Sequence, residues 1–520
     1  MLSSVPLFAA VNAKMGAEII NSKCTACHSG TLETGLSRIS DQRKSPEGWY
    51  MTISRMQRHG LDLTAEERMS AVKYLSDNQG LTPAELMPYV YVLDKTPNAM
   101  EEGKDELLTE MCVRCHSEAR IGLQRRTADE WRGLVNFHVA QFISFEVQAQ
   151  ARDRDWFGVA NNEIVPYLEV NFGKDEKVWK AYQESVKDFE IPTKWSVHGH
   201  TPGKGDFKAE LTFTKNSDET YAVTMRSEYA DGKKAVAEGT GIVYSGTEVR
   251  ASMEQNGVAM QQIMHVNPED GTFVGRVYET LHNENGSVLK ATAADKKETA
   301  IAGVYPKAIK VGEKAMLTIV GSNLSDKVKL SGSVKVLKTL KQSANEIVLE
   351  VEAAKNAKPS QSSITIGSAV FENSFAVYDK VDYVSVTPDY AISRTGSEAK
   401  NAKILKQYAT FEAIGFSNGA DGEKGTADDI DLGVLPVTWN IEPFDEQAVE
   451  DKDVLYAGSI NRYTGKFTPS EDGLNPKRTY STNNVGNLFV VATYLQGDEQ
   501  IDGKAHLIAT VPKFVNPPIN

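Results

Sequence analysis

Two matching pentapeptides constrain this chain more than any other feature. Cys24-Thr25-Ala26-Cys27-His28 and Cys112-Val113-Arg114-Cys115-His116 each read C-x-x-C-H, stand 88 residues apart, and use all four cysteines of the 520-residue chain. This is the spacing of c-type haem attachment. Two thiols add to the two vinyl groups of one haem, and the following histidine, held at fixed reach, offers an axial nitrogen to the iron. Two C-x-x-C hooks also suit zinc, but a zinc site needs no histidine directly after each hook. With every thiol spent as a thioether no disulfide is left. Covalent haem is assembled beyond the bacterial inner membrane, so the compartment expected is the periplasm.

Each motif begins a longer repeat that aligns on a tryptophan. Ser45-Pro46-Glu47-Gly48-Trp49 runs on through Met51 and Ile53 to Met56, and Thr127-Ala128-Asp129-Glu130-Trp131 runs on through Leu134 and Phe137 to His138. Both stretches read as helix starts, with Ser45 as N-cap and Pro46 at the first position in one, and a Thr127…Glu130 capping box in the other. Seven residues separate Trp49 from Met56 and Trp131 from His138, which is two helical turns with an offset of about 20°. Tryptophan and candidate ligand therefore share a face. The alignment assigns Met56 with His28 to the first iron and His138 with His116 to the second, one His/Met and one bis-His haem. Taken singly, Met56 reads as a core methionine and His138 as a hydrogen-bonded histidine; equivalent positions in a haem-binding repeat reverse that preference. Met51 lies on another side of the helix, and His59 lies one turn beyond Met56. Arg43 and Arg125 sit six residues before the tryptophans, beside Lys44 and Arg126. They read either as propionate partners or, with slight preference, as exposed first-turn charges. Thr64…Glu67 forms another capping box, and Leu107, Leu108 and Met111 form an apolar stripe leading to Cys112.

The length suggests three or four domains at about 150 residues each. Past about residue 190 the hydrophobic period changes from 3.6 to short alternating runs. The fold class expected is multidomain α plus β: an N-terminal all-α tandem cytochrome c module, an antiparallel β-barrel and two immunoglobulin-like β-sandwiches. The divisions are 1–13, a residual signal-like segment around Leu7-Phe8-Ala9-Ala10-Val11; 14–190, the dihaem module, with repeats at about 14–90 and 91–190; 191–297, the barrel; and 298–380 and 381–520, the sandwiches. Nothing after the signal-like segment approaches the ~18 continuous apolar residues of a membrane span. The net charge of −13 opposes a nucleic-acid partner. His198-Gly199-His200 reads as a surface loop, since no carboxylate or third histidine adjoins it in sequence. The acidic run Asp421–Asp431 departs from EF-hand spacing and reads as a solvated loop or protein contact ahead of a calcium site. No paired nucleophile and base or phosphate loop stands out in the β part, which leaves docking as its expected use.

The paired haem motifs, the matched Met56 and His138, the barrel, the Gly303…Leu324 sandwich and the Asp421–Asp431 loop together resemble the alpha subunit of quinohemoprotein amine dehydrogenases over essentially the whole chain. The resemblance implies that Cys24, Cys27, His28 and Met56 carry one haem c, and Cys112, Cys115, His116 and His138 the other. It implies a β-propeller subunit and a small subunit bearing a tryptophylquinone as partners. It further implies oxidation of primary amines to aldehyde and ammonia, with electrons leaving to an external cytochrome c or small copper protein, and no amine-oxidising residue in this chain. Two other classes fit the motifs alone: a free-standing dihaem carrier with β-sandwich interaction modules, and a peroxidase-type dihaem enzyme with an open iron. A thioether ligand raises the potential of a c-type haem relative to a second imidazole. A potentiometric titration resolving the two haems is accordingly expected to place the Met56-ligated one higher, so that electrons run from the second to the first.

Overall fold

The computed structural model describes residues 11–101, 103, 105–141, 154–216, 219–399 and 401–512. Of the signal-like segment only Val11, Asn12 and Ala13 fall within them. Val11 is buried in the core of the first repeat, and Asn12 caps helix α1 (Ala13–Lys23), its side chain accepting from Met15 N. Helix α2 (Pro46–Arg58) opens on the Ser45 hydroxyl, which accepts from Gly48 N. Helix α3 (Ala65–Asn78) opens on the complete Thr64/Glu67 box. Gly16 lets α1 cross α3 closely, because a Cβ there would lie 2.2 Å from the Ser70 carbonyl oxygen. That crossing fixes where α1 ends, and Cys24 is its C-cap.

In the second repeat the counterpart of α2 is α4 (Ala128–Gln141). Its capping box is half made. Thr127 Oγ1 accepts from Glu130 N at 3.4 Å, but the Glu130 carboxylate turns instead to Arg38 and Arg126, since charge-assisted bonds to guanidinium outweigh one to an amide N–H. Trp49 and Trp131 are each 1% exposed and play equivalent parts. Their indole N–H groups donate to Gln79 O at 2.9 Å and Phe172 O at 3.3 Å, so two large apolar groups are buried with their polar atoms satisfied.

A short ribbon joins the repeats back to back. Strand β1 (Gln42–Lys44) pairs antiparallel with β2 (Gln124–Arg126), with Arg43 opposite Arg125, so that equivalent residues of the two repeats meet about a local twofold axis. This corrects both expectations for these arginines. They lie on strands that precede the helices, and the strand turns them inward, where they are 0% and 8% exposed. Glu85 receives Arg43 Nη1 and Nη2 at 2.7 Å each and Arg125 Nε at 3.2 Å. Burial alone would raise the Glu85 carboxyl pKa, but its bonds to Arg43 hold it below the ordinary carboxylate range.

Behind the helices, eight strands from Lys194–Thr201 to Gly286–Ala293 each pair antiparallel with the next, and the last pairs back on the first, closing a barrel. Alternate residues such as Trp195, Val197, Phe207, Leu211 and Phe273 fill its interior. The barrel is welded to the first repeat: Ile242 and Tyr244 complete that repeat's core. Arg250 Nε donates to Glu47 at 2.6 Å, and His265 bridges Glu248 at 2.8 Å and Asp94 at 3.1 Å. Two further β domains follow, each with sheets enclosing its own core. Among the described residues no helix is long and apolar enough to cross a membrane.

The histidine pair is not a surface loop. His198 and His200 lie on the first barrel strand, where i and i+2 share a face. His198 Nε2 and His200 Nδ1 meet Asp206 at 3.2 and 2.9 Å, and His200 Nε2 meets Glu412, in the last β domain, at 2.8 Å. Burial alone would lower the His200 pKa, but hydrogen bonds to Asp206 and Glu412 push it up to about 10. The anions invisible in the local sequence come from the neighbouring strand and from another domain. In the Asp421–Asp431 loop the carboxylates serve their own chain. Asp428 accepts from Ala420 N at 2.6 Å, and Asp429 accepts from Gly425 N at 2.7 Å and from the Tyr383 hydroxyl at 2.6 Å. Among the described residues no group of three or more His, Cys, Asp or Glu side chains is placed to hold a metal ion by itself.

Glu85 is the anion common to the ribbon's two buried arginines. Glu85→Ala is expected to cost about 3–5 kcal/mol, as for a broken buried ion pair, read from guanidinium unfolding followed by helical circular dichroism. Glu85→Gln, which keeps a hydrogen-bond acceptor, should cost less.

Candidate functional site

Each C-x-x-C-H motif opens onto a cavity. The first, of about 700 Å³, is lined by Cys24, Cys27, His28, Met56 and His59, with Ile19, Ile20, Trp49 and Ile53 as its apolar wall. The second, of about 460 Å³, is lined by Cys112, Cys115, His116 and His138, with Trp131, Trp156, Leu134 and Val135 around them. Both fall within the range of cofactor-sized sites, mostly apolar with a few polar groups converging. The helix supplies the placement. On α2, Ile53 and Met56 are three apart and face the first cavity. On α4, Leu134 and His138 are four apart and face the second.

His59, the C-cap of α2, lines the same cavity as Met56. Met51, 59% exposed, faces the second cavity, not the first. Helical spacing placed it off the Met56 face but gave no reason to link it to the other site.

The histidines are held in the form that binds a metal. His28 Nδ1 lies 2.8 Å from Ser37 O, His116 Nδ1 2.9 Å from Ser117 O, and His138 Nδ1 2.7 Å from Leu134 O. A carbonyl oxygen only accepts, so the proton sits on Nδ1, and in the neutral ring Nε2 carries the lone pair. Burial, the largest influence, lowers the pKa of both His116 and His138, which keeps those rings neutral near pH 7. Cys24 and Cys112 are half-buried while Cys27 and Cys115 are exposed, and none of the four is joined in a disulfide. Burial raises the Cys24 thiol pKa and, with the neighbouring Cys115, pushes Cys112 up to about 12. Paired thiols, an imidazole and a second soft or imidazole donor around a largely apolar cavity form a donor set that fits a covalently held haem.

The two cavities share a wall. Lys44, Thr52, Arg55, Arg126, Leu134 and Phe137 line both. The sequence groups Lys44 and Arg126 with Arg43 and Arg125, as propionate partners or exposed first-turn charges, and does not single out Arg55; Lys44 and Arg126 are buried, which corrects the exposed reading. The available signal was strand alternation, which sends Lys44 and Arg126 to the face opposite Arg43 and Arg125.

Family models cover nearly the whole chain. Residues 14–179 match the haem-binding domain of the alpha subunit of quinohemoprotein amine dehydrogenase, and residues 188–294, 298–379 and 384–519 match domains II, III and IV of the same subunit. The chain belongs to the quinohemoprotein amine dehydrogenase alpha-subunit family. It is therefore a subunit of an oxidoreductase complex, with a haem-binding domain suited to electron transfer and other subunits implied by the family. No curated protein matches the chain. Solved structures with some likeness include a redesigned beta barrel, mFAP1, at 14% identity over 19% of this chain and 91% of that one, TM-score 0.17. Another is Drosophila N-cadherin EC1-3, at 9% identity over 57% of this chain and 91% of that one, TM-score 0.21.

Proposed function

We propose that this chain is the dihaem c electron-transfer subunit of a periplasmic amine dehydrogenase. It would take electrons from a tryptophylquinone in a partner subunit and pass them to an external cytochrome or copper protein. The observation that carries the reading is the meeting of each motif with its distant partner: Cys24, Cys27 and His28 share one cavity with Met56, and Cys112, Cys115 and His116 share the other with His138. Bound haem supplies one-electron acceptor and donor capacity at each site.

The chain's own residues do the rest. The thiols of Cys24 and Cys27, and of Cys112 and Cys115, tether. Ser37, Ser117 and Leu134 carbonyls fix the ring orientation of His28, His116 and His138. Ile20, Trp49 and Ile53 on one side, and Trp131, Val135 and Trp156 on the other, are buried side chains that exclude water and lower the local dielectric, an established lever on redox potential. Phe137 and Leu134 make the apolar part of the shared wall, which keeps the separation between the sites to the thickness of side chains. The β domains supply surface for the propeller and quinone-bearing subunits.

Two measurements test this. In the natively purified oxidised complex, anaerobic addition of a simple primary amine is expected to reduce the haem bands, and removal of the partner subunits should abolish that response. Reduction by dithionite but by no amine in a panel would favour a free-standing carrier. Met56→Ala and His138→Ala should each convert one haem to a five-coordinate or ligand-exchanged spectrum; an unchanged six-coordinate spectrum in either variant would reassign that ligand, with His59 the alternative at the first site.

A further inference from the structure

The wall between the two cavities carries an excess of positive charge. Lys44, Arg55 and Arg126 line both cavities, and Arg38 lines the first. Among the described residues, one carboxylate pairs with this group: Glu130, 3.1 Å from Arg38 Nε and 3.3 Å from Arg126 Nη1. Lys44 is 6% exposed. Its ammonium donates to a neutral hydroxyl, Thr52 Oγ1, at 2.6 Å and lies 5.2 Å from the centre of the Trp49 ring. Arg55 lies 5.2 Å over the Phe137 ring. A buried ammonium without a counter-ion is costly, and one placed among guanidiniums is more so. Burial first, then repulsion from Arg126 and Arg55, holds the Lys44 pKa well below the lysine range. Among the described residues no carboxylate pairs with Lys44 or Arg55, and the one that answers Arg38 and Arg126 is shared between them, which leaves the cluster with positive charge to offer an anion in the cavities.

A haem bound through its vinyl edge has two carboxylates left, its propionates, on an otherwise apolar ring. Resting on the dihaem reading, we propose that Lys44, Arg55 and Arg126 form one cationic clamp that receives propionate carboxylates from the groups in both cavities. The two prosthetic groups then share their counter-charges. Arginine offers paired donors to a carboxylate, and lysine a single mobile one. Because the same cations serve both sites, a change to one of them is felt at both potentials. Arg43 and Arg125, one residue away, are excluded from this role by Glu85 and by facing away from the cavities.

The test uses the natively purified complex, with covalent haem counted by pyridine haemochrome and the propionate bending bands read by resonance Raman. The two midpoint potentials come from spectroelectrochemical titration. Arg55 is exposed, so Arg55→Gln should fold. It is expected to shift the propionate bands and lower both potentials together, with Arg55→Lys restoring part of each. Lys44→Met should act in the same direction. Arg132→Gln is the control: this α4 side chain is 50% exposed, pairs with Asp129 and lines neither cavity, so it should move neither readout. Two haems per chain with propionate bands unmoved in both Arg55→Gln and Lys44→Met would overturn the clamp and leave the dihaem reading standing. Movement of one potential alone would overturn the sharing. Fewer than two covalent haems per wild-type chain would overturn the dihaem reading, and the clamp with it.

Discussion

The contact on which the haem-binding region depends is the three-way meeting of Arg43, Arg125 and Glu85. Two guanidiniums are taken out of water at equivalent positions of the two repeats, and such a pair is tolerable only with an anion between them. Glu85 supplies it from a short helix, Pro83–Leu86, whose own start it also caps. Once Arg43 and Arg125 are committed to Glu85, the pleat of the ribbon forces their neighbours to the opposite face. Lys44 and Arg126 are therefore delivered to the wall between the cavities as a direct result of where Arg43 and Arg125 go.

The helices translate that arrangement into two sites. Each repeat holds its helix with a buried tryptophan whose indole N–H is satisfied by a carbonyl, and that anchor fixes the rotation of α2 and α4 about their own axes. Rotation decides which residues face which space. On α2, Ile53 and Met56 look into the first cavity and Met51 into the second, with Thr52 and Arg55 between them facing both. The two cavities are therefore neighbours that share side chains.

The β domains brace the helices. The barrel completes the first repeat's core through Ile242 and Tyr244 and fixes α2 through Arg250 and Glu47. On another face, His200 ties the barrel to the last domain between Asp206 and Glu412, while His198 stacks on Tyr305 of the intervening one, ring centres 5.7 Å apart. Isolated charges at such junctions would be penalised. Here each is bonded, so the helical module is carried on a braced base.

The sequence by itself marked out the two C-x-x-C-H motifs and determined the local structure: the Ser45 and Thr64 caps, the helical faces of Met56 and His138, and the change of period near residue 190. These were legible because they depend on residues within a few turns of one another. Only the tertiary structure decided the partners of charge. Glu85 for Arg43, Asp206 and Glu412 for His200, and the crowding of Lys44, Arg55 and Arg126 in one wall join residues from 6 to 212 positions apart. Hydrophobic period and capping are short-range and leave a pattern along the chain. Neutralising a buried charge has no preferred spacing, so nothing along the chain records which anion answers which cation until the fold brings them together.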